Sequence, residues 1–275
     1  FQVPGRQEVM AQKMITVKPR EIDDVLVNPG MGFTTFQRFN GDKLNEGTGW
    51  TEGFPIEYQN FDGNLKVKDY PMTSIAYFRL YWRFLEPKPG KYKWDLIDKA
   101  LITAHERNQQ LMVRIAPYGT KLPDTDVPGW YREMVGDTFI NQSVVKHWQI
   151  NHEDPRYFKY FGNLIREMGK RYDGHPDLDA IDMALIGAWG EGEHTEMLSE
   201  KTMKALVDVY TESFQNTPLI MQLTDPKTNK YALSKANVGW RVDCLGDLGF
   251  WAKEQNGFTH MYDRYPQYVI RCGMQ

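Results

Sequence analysis

Cysteine is nearly absent from this chain: Cys244 and Cys272 are the only two in 275 residues. Two thiols cannot build a disulfide scaffold and these lack metal-ligand spacing, so ordinary buried thiols are expected. No apolar run nears the roughly 20 residues needed to span a bilayer. Positive charge is not in excess either, with a net charge of −3 and 25% charged residues. The basic surface that nucleic acid needs is missing, which excludes that class of partner. There is no GxGxxG, no P-loop and no GxSxG, so nucleotide cofactors and serine-hydrolase chemistry have no support. Repeats of fixed period and low-complexity tracts are also lacking. The first residues, FQVPGRQEVMAQ, are polar and unlike a signal sequence, so an exported protein would have shed its leader before them.

A hydrophobic share of 41% is enough for a core of one large domain or two modest ones. Aromatic residues are plentiful, with 8 Trp, 15 Tyr and 14 Phe. Most of these rings belong in a core. Flat rings also serve sugar-binding clefts, because the C–H faces of a pyranose are apolar and stack on them.

The organising stretch is Leu178 to Glu196, LDAIDMALIGAWGEGEHTE. Ile181, Met183, Leu185 and Ile186 do not alternate with polar residues as a half-exposed strand would, so they predict a strand buried on both faces. Gly187 and Gly190 permit a turn, and Trp189, Glu191, Glu193 and His194 crowd the tip. Ser199 to Phe214 then has helical character. In such a βα unit the chemistry sits at the strand's C-terminal end.

Other strands are expected at Val25 to Phe36, Thr73 to Trp82, Gln110 to Ala116, Pro218 to Thr224 and Val238 to Leu245. Helices are expected from Trp94 to Arg107, with Ile97, Leu101 and Ala104 on one stripe, and from Asp154-Pro155 to Tyr172. Phe258 to Cys272 is either a further helix or extended. Residues 37–72 read as a long ordered loop with rings that cover something, and residues 120–153 as a second long segment. Strands alternating with helices predict a parallel sheet wrapped by helices. The expected fold is a (β/α)8 TIM-type barrel over 25–275, after a lead-in of residues 1–24. About six βα units are visible where a closed barrel has eight. The sequence is therefore expected to stop before strands seven and eight; an open sheet is the alternative.

Several segments resemble one family. Trp82 to Asp95, WRFLEPKPGKYKWD, is similar to the "W…EP.pG.ydw" signature after the second strand of barrel glycosidases related to microbial β-galactosidases. Arg79 matches an arginine that such enzymes place near the site. Asp126 to Trp130, DVPGW, resembles their "lP.Wl" segment, and Arg171 to Pro176, RYDGHP, their "rY..hP" run. The tip Gly187 to Glu191 lies where that clan carries its general acid/base glutamate. NPGMGF and GAWGE resemble a glycosidase-like group common in gut Bacteroidetes. The resemblance covers about residues 25 to 250. It implies a glycoside hydrolase with a carbohydrate substrate, no cofactor, and a periplasmic or extracellular location. One departure stands out: many clan members have Asn immediately before the acid/base Glu, and here the position is Gly190.

Glycosidic cleavage protonates a poor leaving group while stabilising an oxocarbenium-like centre, which a pair of carboxyl groups does. Glu191 is expected to be the proton donor, with Glu193 its competitor. The second carboxylate should come from another strand, in this clan the seventh; Asp225 and Asp243 are the substitutes within the sequence. Arg79 is expected to orient a carboxylate, since an arginine within AYFRLYW is hard to leave unpaired. Trp82, Tyr118, Trp130, Trp189 and Trp240 are candidate sugar platforms, with core packing the alternative for each. His194 completes the tip. A metal held by Glu191, Glu193 and His194 is the weaker reading, because Glu-x-Glu-His is poor ligand spacing. His105, His147, His152, His175 and His260 are expected at the surface or at helix ends. A barrel that binds carbohydrate without cleaving it is the alternative function.

Overall fold

The structure, a computed structural model, describes residues 18–21, 23, 33–44, 53–119, 127–136, 148, 150–192, 194–222 and 226–241. Within them lie strands β1 (Thr34–Phe36), β2 (Ile75–Tyr81), β3 (Gln110–Ala116), β4 (Leu178–Asp182), β5 (Leu219–Gln222) and β6 (Val238–Arg241). They form a single sheet in the order β1-β2-β3-β4-β5-β6, and every neighbouring pair is parallel. Parallel neighbours need crossovers, which helices supply between β2 and β6. The helices are α1 (Trp82–Leu85), α2 (Asp95–Glu106), α3 (Gly129–Val135), α4 (Pro155–Tyr172), α5 (Glu200–Ser213) and α6 (Pro226–Lys235). The described part of the chain is thus a curled, incomplete (β/α)8-type barrel, as the strand and helix pattern predicts.

β2 is buried along all of its length, and β3 nearly so. The apolar residues of these strands face either the barrel interior or the helices, which is why their sequences run without alternation. Asp154 caps α4, its Oδ1 accepting from Arg156 N at 2.9 Å, with Pro155 at the first helical position. Ser199 caps α5 through Thr202 N at 3.2 Å. These two helices approach closely: a Cβ on Gly169 would lie 2.4 Å from the Ser213 carbonyl oxygen.

Three expectations need correcting. The first strand is short, Thr34–Phe36, with residues 24–32 outside the described range. Residues 120–153 contain helix α3, because GWYREMV has Tyr131 and Val135 four apart on one buried face. Helix α6 between β5 and β6 has no counterpart in the sequence reading, since its PKTNKYALSK carries too weak an apolar stripe.

The described part of the long loop after β1 does cover something. Tyr58 stacks on Phe39 at 5.9 Å and takes Lys99 of α2 over its face. Phe61 lies under the Arg107 guanidinium at 3.5 Å, and Tyr70 donates to the Phe39 carbonyl at 3.0 Å. Asn40 donates to the carbonyls of Thr73 and Arg107, residues that precede β2 and β3. Most of this loop therefore seals the flank of α2 and the strands' starting ends. Gly53 and Phe54 reach the far end of β2, where Tyr81 N donates to Gly53 O at 2.7 Å.

Candidate active site at the carboxyl ends of the strands

The line of β4 does not stop at Asp182. Met183 N donates to Ile220 O at 2.8 Å, and residues 183–186 stay buried. Beyond the sheet ladder, two tyrosine hydroxyls from the helix layer take over. Tyr157 of α4 donates to Leu185 O at 2.7 Å and Tyr210 of α5 to Ala184 O at 3.0 Å. These bonds satisfy carbonyls that would otherwise be buried without partners. The turn that follows is stitched to the loop after β3, Trp189 N donating to Tyr118 O at 2.7 Å.

That turn is sharply wound. Gly187, Trp189, Gly190, Gly192 and His194 all have positive φ. At Gly190 (φ +73°) a Cβ would sit 2.3 Å from Ala184 Cβ, so only glycine fits. Trp189 at φ +55° holds a conformation that L-residues disfavour by about 1–2 kcal/mol.

Glu191 emerges from this turn with its side chain 31% exposed. Two arginines from neighbouring strands approach its Oε1: Arg79 Nη1 at 3.4 Å and Arg114 Nη1 at 3.6 Å. The arginines sit directly opposite each other in the register of β2 and β3, and Asp182 lies opposite Arg114 in β4. Like charges so placed repel. Burial and then the Arg114 charge both pull Arg79 below its ordinary value, and Glu191 acts the other way. The carboxylate is therefore the counter-charge that makes the arrangement tolerable. Arg79 is further held by the side chain of Gln37, which bonds both its N (2.7 Å) and its O (3.2 Å), and its guanidinium lies by the rings of Phe36 and Trp189.

Beneath this pair is a buried hub centred on Asp182, which is 0% exposed. Its Oδ2 accepts from Tyr77 of β2 at 2.5 Å and from Arg241 Nε of β6 at 2.7 Å, and lies 3.3 Å from Arg114 Nε. Arg114 Nε also donates to the Tyr77 hydroxyl at 2.7 Å. At its other edge Arg114 Nη1 donates to Trp189 O at 3.2 Å. Burial and the Asp182 charge push the Tyr77 hydroxyl far up, so it stays a donor. Beside Glu191 lies a small cavity of about 10 Å³, lined by Met183, Leu185, Thr195 and Met221.

The structure brings Glu191, Arg79 and Trp189 together, with Tyr118 contributing its carbonyl to the same turn. Trp82 is elsewhere. It is fully buried, its Nε1 donating to Glu86 at 2.7 Å among Trp130, Tyr131, Tyr157 and Phe161, so it is core and no sugar platform. Trp130 packs edge-on against it and donates to Glu86 O at 2.8 Å. Trp240 is half-buried on β6. His194 is exposed, 3.7 Å from Glu196. Glu193, Asp225 and Asp243 lie outside the described residues, as do Cys244, Cys272, His147 and His260. His152 lies just before the start of α4, as a helix-end residue, and its ring packs against Tyr118 and Tyr157 with its Nε2 buried.

Glu86 shows what the EP signature does. Its buried carboxylate takes Trp82 Nε1 and Gly90 N, and burial pushes its carboxyl up from the ordinary range. The motif is a clamp around the end of β2 rather than part of the chemistry. Arg114, Asp182, Tyr77 and Arg241 were not singled out from sequence. The signal was there: charged residues inside the apolar runs LMVRIA and AIDMAL, the same oddity that marks Arg79.

A family model described as beta-galactosidase matches residues 64–184, under half of the chain but spanning β2 to β4. The β-galactosidase-like resemblance read from the motifs therefore has independent support over β2 to β4, the strands that carry Tyr77, Arg79, Arg114 and Asp182. No curated protein matches. Among solved structures, endo-glycoceramidase II from Rhodococcus sp. in a five-membered iminocyclitol complex is 16% identical, with a TM-score of 0.38, over 55% of this chain and 40% of that one. A beta-galactosidase from the psychrophilic Marinomonas ef1 is 13% identical, with a TM-score of 0.46, over 73% of this chain and 42% of its own. The chain spans about two fifths of the length of these structures.

Proposed function

We propose that the protein is a glycoside hydrolase in which Glu191 handles the proton of the scissile glycosidic bond. The observation that carries this reading is the placement of one half-buried carboxylate at the carboxyl end of the β4 line, cradled by arginines from β2 and β3. Substrate-facing groups gather at that end of a parallel barrel. The family match over residues 64–184 supports the same class of chemistry.

The reaction needs a second carboxylate across the sugar. Asp182 does not serve, because it is fully buried and its Oδ2 already meets Tyr77, Arg114 and Arg241. Asp225 and Asp243, which lie outside the described residues, are the candidates for that partner. Substrates are oligo- or polysaccharides, and the protein works in the periplasm or outside the cell.

The test is turnover of a panel of aryl glycosides, β-galactosides included, by the full-length protein and its Glu191→Gln variant. The expected result is a loss of turnover of about a hundredfold or more with sugar affinity retained. Equal turnover in both proteins would remove Glu191 from the chemistry. A wild type that binds sugars and never cleaves them would make this a carbohydrate-binding barrel instead.

A further inference from the structure

Arg114 sits awkwardly for a residue whose sole task is to neutralise Glu191. A full charge-assisted bond between guanidinium and carboxylate closes to about 2.7–2.9 Å. Arg114 Nη1 stands off from Glu191 Oε1 at 3.6 Å. Its Nε edge is turned the other way, to the Tyr77 hydroxyl at 2.7 Å and Asp182 Oδ2 at 3.3 Å. Asp182 itself cannot follow, since Arg241 of β6 and Tyr77 of β2 hold the same oxygen. The guanidinium is therefore shared between a fixed anchor inside the barrel, the Trp189 carbonyl that Nη1 meets at 3.2 Å, and a carboxylate at the barrel's mouth.

We propose that Asp182 is a positioning residue: with Tyr77 it tethers Arg114, keeping the guanidinium short of full contact with Glu191 and leaving Glu191 able to take up and give back a proton. This deepens the hydrolase reading and rests on it for its purpose. Two unrestrained arginines closing on one carboxylate would lock it in the charged form. A tethered one still supplies a field and a fixed orientation. The tether also explains why a carboxylate is placed in the barrel interior, where an unpaired charge is strongly disfavoured.

Among the described residues, the groups facing Glu191 include Arg79 from β2 and Arg114 from β3, with Asp182, Tyr77 and Arg241 behind Arg114 and His194 on the same loop. The test reads the titration of Glu191 directly, by NMR of side-chain carboxyl carbons in the full-length protein, with Glu191→Gln identifying the signal. Asp182→Asn and Tyr77→Phe are each expected to lower the Glu191 midpoint by about one pH unit, as Arg114 closes on it. Tyr77→Phe removes no charge, so its shift reports the tether and not the loss of a nearby anion. In an Arg114→Met background Tyr77→Phe is expected to leave the midpoint unmoved, and Asp182→Asn to keep only the smaller shift that comes from its lost charge. An unchanged midpoint in Tyr77→Phe, or an undiminished Asp182→Asn shift without Arg114, overturns the proposal. If Asp182→Asn fails to fold, the nearly isosteric Tyr77→Phe still decides. The titration reads out whether or not any glycoside is turned over, so failure of the hydrolase reading would be seen separately.

Discussion

Gly190 carries more of the site's geometry than its size suggests. Many of the β-galactosidase-like glycosidases that this chain resembles place Asn before their acid/base glutamate. Here that residue would need φ near +73° and would press its Cβ to 2.3 Å from that of Ala184. Asn tolerates the first condition and not the second. The departure from the clan's pattern is thus a consequence of how tightly the turn folds back over the β4 line. Gly190→Asn is expected to destabilise the protein by about 1–3 kcal/mol, read from chemical denaturation, and to displace Glu191 from its arginines. A stable Gly190→Asn protein with unchanged Glu191 titration would show that the turn relaxes freely.

At the scale of elements, the height of the glutamate is set by helices as much as by strands. β4 loses its ladder with β5 just after Asp182, yet the chain continues straight because Tyr157 and Tyr210 bond the carbonyls of Leu185 and Ala184. Both tyrosines are buried, and burial pushes their hydroxyls up, so they act as donors throughout the working pH range. Removing one hydroxyl leaves a buried carbonyl unpaired. Tyr157→Phe and Tyr210→Phe should each destabilise by about 1–3 kcal/mol in denaturant titrations. They should also raise hydrogen exchange at Trp189 and Glu191, where the turn depends on the line below. Substituting an exposed tyrosine elsewhere should do neither.

For the whole molecule, the same packing makes the fold acid-sensitive. His152 lies against Tyr118 and Tyr157, and burial, then the neighbouring His194, holds it down to about 3 from an ordinary 6.5. The folded protein keeps it neutral while the unfolded chain takes up a proton below about 6.5. Stability is therefore full above that value and declines as pH falls toward about 3. Between pH 7 and 5 this group should remove about 1–2 kcal/mol, measured as a shift in the urea midpoint. His152→Phe should flatten that part of the profile. A wild-type profile no steeper than that of His152→Phe would show that the imidazole accepts its proton without leaving the fold.

Much of this architecture could be read in the chain before any coordinates. The runs AYFRLYW and QLMVRIA had to be strands, LDAIDMALI a strand buried on both faces, and Asp154-Pro155 had to open a helix, because local sterics and apolar periodicity act within a few residues. The tip carrying Glu191 was legible for the same reason. What the tertiary structure alone decided is which charges meet. Arg79, Arg114, Asp182 and Arg241 come from four strands across more than half the sequence, and their pairing follows from sheet register and curl, which no local pattern encodes. The fate of the tryptophans was decided there too: Trp82 is sunk in the core, while Trp189 is lifted beside the carboxylate by a turn that only Gly190 permits.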